Sequence, residues 1–382
     1  MSSPPVARRH IAALDGLRAF AVIAVIIYHT FDPTPWLAVD RAVKSGWVGV
    51  DLFFVLSGFL ITGILLDSKG SPRFFRNFYI RRTLRIFPLY YAVLVAALLI
   101  APHFLPTDDA VQAILHKQGW LWAYAQNIEE FHHGGKSWKA GWLNLTHLWS
   151  LSVEEQFYLV WPAVVYLTAR RSLVAVAAAI VIGAPVLRAA MLHAGTPAQV
   201  IYAFTPCRLD TLAVGALLAV LVRSRPELVT TVARSLLAIG GIAVLAIVIA
   251  TGGFEAEDYT VQVIGYTAAA ALFGGIVLRA AQPRTSRGLL GHPILTTIGR
   301  YSYGIYIFSE LLDPLFNRIY NIDRIGALVH SRVLANVGFT VFALAASTGI
   351  AAISWHVFEK RFLALKDRWA PIERAAPIAS AS

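Results

Sequence analysis

His29 closes the first long apolar stretch of the sequence, and Arg18 stands eleven residues before it in the same stretch. On a helix, at about 100° per residue, that spacing is three turns plus about 20°, so the two side chains share a face roughly 16 Å apart. Ionisable groups within an apolar span are costly and mark a substrate or proton path, unless they simply snorkel or bond within a bundle. A histidine so placed can act as a general base toward a hydroxyl, and a neighbouring carboxylate fixes its tautomer and raises its basicity. The run from His147 to Tyr158 offers two carboxylates, of which Glu154 would lie about 10 Å along a helix that begins at His147. Glu154 is therefore the expected partner of His29. Glu155 points about 100° away, so it stays an alternative that needs its own partner, such as Arg208 or the backbone.

A second constellation is Arg81, Arg82 and Arg85 ahead of Pro88, with Arg82 and Arg85 neighbours at i, i+3. Their guanidinium forks suit phosphate oxygens, and they suit lipid headgroups equally well. Asp51, Arg208 and Asp210 fall at helix starts, where they read either as a structural ion pair or as a binding group. Asp15 lies one turn before Arg18, and Ser302 and Tyr303 add hydroxyls that could meet a ligand or pack helices. Gly46, Gly49, Gly58 and Gly63 read as points of close helix approach.

These residues need membrane helices to position them. The 382 residues are 57% hydrophobic and 14% charged, with a mean hydropathy of +0.61, against about 45–50% and about 25% in soluble domains. A net charge of +11 is spread over short loops between apolar runs, so nucleic acid is not an expected partner. Cys207 stands alone, which rules out an intramolecular disulfide, and no metal is expected. Apolar runs of about 20 residues place spans near 11–30, 47–66, 86–105, 147–168, 172–192, 208–222, 234–251, 261–281, 299–316 and 333–357. The first holds Asp15, Arg18 and His29, unlike a signal peptide, and is taken as a retained span. The segment 112–127 is interrupted by His116, Lys117 and Gln118 and reads as an interfacial helix.

Ten spans with both termini in the cytoplasm put 22 of the 33 Lys and Arg inside and 8 outside, leaving Arg18, Arg188 and Arg208 within spans. An eleventh span would spoil that asymmetry. The expectation is an all-α integral membrane protein, a bundle of about ten transmembrane helices. Its membrane domain covers 1–365, and 366–382 form a short disordered cytoplasmic tail.

Taken in order, several segments resemble acyltransferase family 3, the integral membrane acyltransferases of surface polysaccharides and other carbohydrates. They are Leu14–Arg18 through His29, Gly49–Phe59, Arg82–Pro88, Trp149–Tyr158, Arg208–Asp210 and Ser302–Tyr306. The resemblance implies a ten-helix fold, an acyl-CoA donor, with acetyl-CoA expected, and transfer to a hydroxyl. Carried over by position, it implies that His29 is catalytic, that Arg18 shares its essential helix face and that Arg82 and Arg85 serve the CoA side. Where relatives often have histidine after the Ser-Tyr segment, this chain has Phe308, Ser309 and Glu310.

The expected function is thus a multi-pass O-acyltransferase of the cytoplasmic (inner) membrane, with the lipid bilayer and a carbohydrate acceptor as partners. A homo-oligomer is compatible with the sequence, and both direct transfer and an acyl-histidine intermediate fit. The rival reading from another class is a proton-coupled transporter or flippase of a glycan or glycolipid, in which the same buried His, Glu and Arg relay protons.

Overall fold

The computed structural model describes residues 11–31, 37–135, 138–282 and 288–371. Arg8, Arg9, Lys136, Arg284, Arg287 and Arg374 of the charge argument lie outside them, as do residues 372–382 of the expected tail.

Every predicted span is helical. The long helices are α1 (Ala12–Thr30), α2 (Val48–Ser68), α3 (Phe74–Leu94), α4 (Trp149–Leu167), α5 (Arg170–His193), α6 (Leu209–Ser224), α7 (Val229–Thr251), α8 (Tyr266–Ala280), α9 (Pro293–Leu311) and α10 (Arg332–Ser354). A single wider π-type turn extends α3 through Ile100, another leads into α8 from Val261, and a third carries α10 through Glu359 into α11 (Lys360–Trp369). Among the described residues, seven helices are long and apolar enough to cross a membrane, and α4, α6 and α9 are the long helices outside that set. The reason differs by helix. α6 has 16 residues, fewer than the about 20 of an ordinary span. α4 carries Glu154 and Glu155, and α9 carries Arg300 and Glu310. The chain is an all-α membrane protein.

α6 is also the most enclosed of the three. α6 packs on α2, α5 and α8, and residues Asp210–Ala216 are buried without interruption. Backbone contact makes this possible: a Cβ at Gly58 of α2 would sit 1.9 Å from the Leu212 carbonyl oxygen. α1 packs on α9, α2 and α10, so it lies at the centre of the other half. Lipid-facing positions fall on α5, α7 and α10, where Ile182, Ile242 and Val341 are exposed.

Three boundaries differ from the sequence reading. α3 begins at Phe74, because Phe74 and Phe78 bury one turn apart ahead of the arginines. Arg82 and Arg85 therefore lie inside a helix instead of at its mouth. The segment 112–127 breaks into the helices Asp109–His116 and Gly119–Trp122, each too short to span. With Gln126–His133 and a small antiparallel hairpin, β1 (Lys139–Ala140) and β2 (Leu143–Asn144), these caps cover one end of the bundle around buried Trp138. Finally, order continues beyond residue 365, because Arg81 ties α11 down, donating to Asp367 at 3.0 Å and to the Ala370 carbonyl at 2.8 Å.

Candidate active site

A cavity of about 1300 Å³ runs through the bundle between α1, α2, α3, α4 and α9. Near one end stand Asp67 and Arg223, paired at the close of α2 and α6 with an Nε–Oδ1 distance of 2.6 Å. Arg18, Arg82 and Arg85 line its walls, and Ser150, Glu154 and Tyr306 line its far part. Asp15, Ser302 and Tyr303 also face it. Seven of the eleven sequence-predicted site residues thus meet in one space, drawn from four helices.

Several are held by their neighbours. Arg18 donates to Asp15 at 2.9 Å across one helical turn. The Arg82 guanidinium lies 5.5 Å from the centre of the Tyr158 ring, and Tyr158 shares a very short hydrogen bond with Ser57. Tyr303 donates to the Ile86 carbonyl at 2.8 Å, joining α9 to the arginine-bearing part of α3. Ser150 and Tyr306 are 2.6 Å apart, and Tyr306 donates to the His147 carbonyl at 3.0 Å. The polar groups that face the cavity are therefore largely oriented in advance.

His29 does not face that cavity. It ends α1 on the capped side, with its side chain 34% exposed. Its Nδ1 is 2.9 Å from the Val25 carbonyl oxygen and 3.0 Å from Oε1 of Glu310. The expected partner, Glu154, faces the cavity beside Ser57 and Tyr158 instead. The correction has a simple geometric cause. α9 runs in direct contact with α1, whereas α4 packs on α2, so α9 delivers the carboxylate. Glu310 is buried, and its Oε2 accepts from Asn144 Nδ2 at 3.0 Å. Asn144, Glu310 and His29 form a chain from β2 through α9 to α1. Both neighbours of Nδ1 are acceptors, so Nδ1 is the donor, which in the neutral ring leaves Nε2 as the acceptor.

The cavity and this chain are adjacent. Tyr306 lines the cavity, and Glu310 follows it on α9 by four residues, one turn and about 6 Å further on the same face. Glu310 is the residue that sequence reasoning missed. Its signal was present as a carboxylate inside an apolar run, after the Ser-Tyr segment.

Of the remaining predicted residues, Glu155 does not line the cavity, and its Oε1 is buried without a hydrogen bond among the described residues. Arg208 and Asp210 do not pair with each other. Arg208 binds Asp51 through a very short contact inside an aromatic box, with Tyr266 at 4.2 Å and Tyr202 at 5.0 Å. Asp210 binds Arg188 at 2.9 Å and accepts from Thr267 at 2.6 Å. All four charges are fully buried, away from the cavity. They lock α6 to α2 and α5 and offer no face to a ligand.

Comparison with known proteins identifies the family. The acyltransferase-domain family matches residues 11–356. The putative peptidoglycan O-acetyltransferase YrhL of Bacillus subtilis is 30% identical over 92% of this chain and 55% of its own length. The peptidoglycan O-acetyltransferase OatA of Listeria monocytogenes is 39% identical over 41% of this chain and 24% of its own, and the O-acetyltransferase OatA of Staphylococcus aureus is 38% identical over 41% and 25%. The chain spans about half, or less, of the length of these relatives. No solved structure matches. With a family match that runs from the start of α1 to just past the close of α10, the chain belongs to acyltransferase family 3.

Proposed function

We propose that the protein is an O-acetyltransferase that moves an acetyl group from cytosolic acetyl-CoA to a hydroxyl of a cell-wall carbohydrate, peptidoglycan being the acceptor its relatives' names suggest. The observation that carries this reading is the one long cavity that holds Arg18, Arg82 and Arg85 along its walls and reaches Tyr306, one turn from Glu310, the partner of His29. Ten helices cross the membrane in this reading, and the end where α1 begins faces the cytosol. α4, α6 and α9 cross with the others, α6 as an inner helix shielded by its neighbours.

The arginines would hold donor phosphates bidentately. The acyl end of the donor would extend past Glu154 toward Ser150 and Tyr306. His29 Nε2 takes the proton of the acceptor hydroxyl as its oxygen attacks the thioester carbonyl, and Glu310 stabilises the imidazolium that forms. The carbon–sulfur bond then breaks, the new ester keeps the acyl group, and the proton passes to the departing thiolate. Positioning is the main task of the cavity, since it brings thioester and hydroxyl together.

The decisive measurement uses purified protein, [14C]acetyl-CoA and peptidoglycan fragments. Label that appears in an alkali-labile ester, with one CoA released per ester, is the expected result. Release of CoA without acceptor dependence, or no release at all, rejects the assignment.

A further inference from the structure

A second, smaller cavity of about 380 Å³ lies where α1 begins and α11 crosses the bundle. Asp15, Arg18 and Arg85 line both it and the large cavity, so the two adjoin. Arg300 of α9, Lys366 of α11 and Trp355 line only the smaller one. Its volume is within the range of about 300–1000 Å³ usual for ligand pockets.

The charge of this cavity is unbalanced. Among the described residues that line it, Arg18, Arg85, Arg300 and Lys366 face one carboxylate, Asp15, so cations outnumber anions there by three. Among the described residues, the side chains of Arg85, Arg300 and Lys366 make no ion pair or hydrogen bond. The fold nonetheless forces them together. A Cβ at Gly299 would stand 1.8 Å from the Asp15 carbonyl oxygen, so the α9 and α1 backbones touch there and set Arg300 beside Asp15 and Arg18. The Arg81 bonds to Asp367 and to the Ala370 carbonyl hold α11, and with it Lys366, over α3 near Arg85. Trp355 is half-buried at the edge, with its ring 5.9 Å from that of Tyr301, and offers a flat face of the size a purine covers.

We propose that this antechamber is a nucleoside-phosphate subsite: Arg300 and Lys366 bind the phosphates at the adenosine end of the donor while Trp355 stacks on the base. This rests on the donor assignment made above, and it divides the labour of the cations. Arg18 and Arg85 stand at the junction of the two cavities, and Arg300 with Lys366 reads the outermost phosphate. A phosphate there is chemically favoured because the cations now repel one another. Burial, together with Arg85, Arg81 and Arg82, pushes the Lys366 ammonium down to about 8, and Asp367 opposes the shift. An incoming phosphate dianion relieves that repulsion and favours the charged ammonium.

The same chemistry could serve the phosphate of a lipid headgroup, and the test separates the two sources. The protein is placed in nanodiscs of phosphatidylcholine and titrated calorimetrically with adenosine 3′,5′-bisphosphate, then again in nanodiscs containing phosphatidylglycerol. Wild type should bind in both. R300A/K366A should bind about tenfold to a hundredfold more weakly, the loss expected for charge-assisted hydrogen bonds. R300K/K366R, which keeps the charge, should recover most of the binding. With turnover as a second readout, the wild-type preference in kcat/KM for acetyl-CoA over 3′-dephospho-acetyl-CoA should collapse in R300A/K366A. If phosphatidylglycerol abolishes nucleotide binding, or if the variants alter only the response to that lipid, the site holds a headgroup and the proposal is overturned. If wild type uses acetyl-CoA but the variants keep both nucleotide affinity and donor preference, the subsite is refuted and the donor assignment survives. If wild type binds the bisphosphate yet never releases CoA from acetyl-CoA, the donor assignment falls and a nucleotide site remains.

Discussion

At His29 the tautomer decides the chemistry. A base that must accept a proton at Nε2 needs its other nitrogen occupied as a donor, and Glu310 with the Val25 carbonyl meets that need at 3.0 and 2.9 Å. Replacing His29 by glutamine removes the base and should lower transfer by about 10²- to 10⁴-fold without loss of folded protein. Glu310→Gln is the more discriminating variant. A glutamine amide can donate to Nδ1, shift the proton to Nε2 and leave the base blocked, so a comparable loss in kcat with little change in donor KM is expected. Steady-state kinetics of both variants, with donor and acceptor varied separately, checks this. Near-normal turnover in Glu310→Gln would show that the carboxylate does not position the histidine.

At the scale of elements, close backbone contacts do what side chains cannot. The α1–α9 contact brings both Glu310 to His29 and Arg300 to Arg18, and it depends on Gly299, where a Cβ would meet the Asp15 backbone at 1.8 Å. Backbone cannot yield as a flexible side chain can. Gly299→Ala should therefore cost about 1–3 kcal/mol of stability by overpacking and reduce activity further than that loss alone explains. Gly183→Ala in α5 is the matched control, because nothing lies within 4 Å of its would-be Cβ; there the gain in helix propensity of about 0.5–1 kcal/mol is unopposed. Apparent melting temperatures in detergent, measured beside acetyl transfer, compare the two. Equal effects at both positions would remove the α1–α9 contact from the argument.

For the molecule as a whole, the consequence is sidedness. The cationic cavities gather at the end where α1 begins and α11 lies, whereas His29 stands at the other end beneath the capping helices and hairpin. A nucleotide is too polar to cross the bundle, so only the slender arm of the donor can traverse it. In oriented proteoliposomes, acetyl-CoA supplied only on the face where α1 begins should acetylate acceptor confined to the opposite face. Transfer that requires both substrates on one side would make the long cavity irrelevant to the reaction path.

Composition and periodicity by themselves determined the class of this protein, its ten helical segments and most of the chemistry-bearing residues. Burial in lipid leaves a local signature, namely some twenty apolar residues with conspicuous charges among them, and Arg18, His29 and Glu154 stood out on that ground, while Arg82 and Arg85 stood out as a cluster of guanidinium groups just before such a run. Pairing leaves no such signature. Which carboxylate meets His29 depends on which helix packs against α1, a fact of contacts between residues 281 positions apart in sequence. The same is true of Arg208, whose partner Asp51 lies 157 positions away. Lys366 looked like part of a tail because nothing local binds it, and only the anchoring of α11 by Arg81 brings it to Arg85 and Arg300. Local sequence fixes what a segment is, through hydropathy summed along the chain. Tertiary structure decides what it touches, because a close approach of two backbones depends on small residues at both surfaces together.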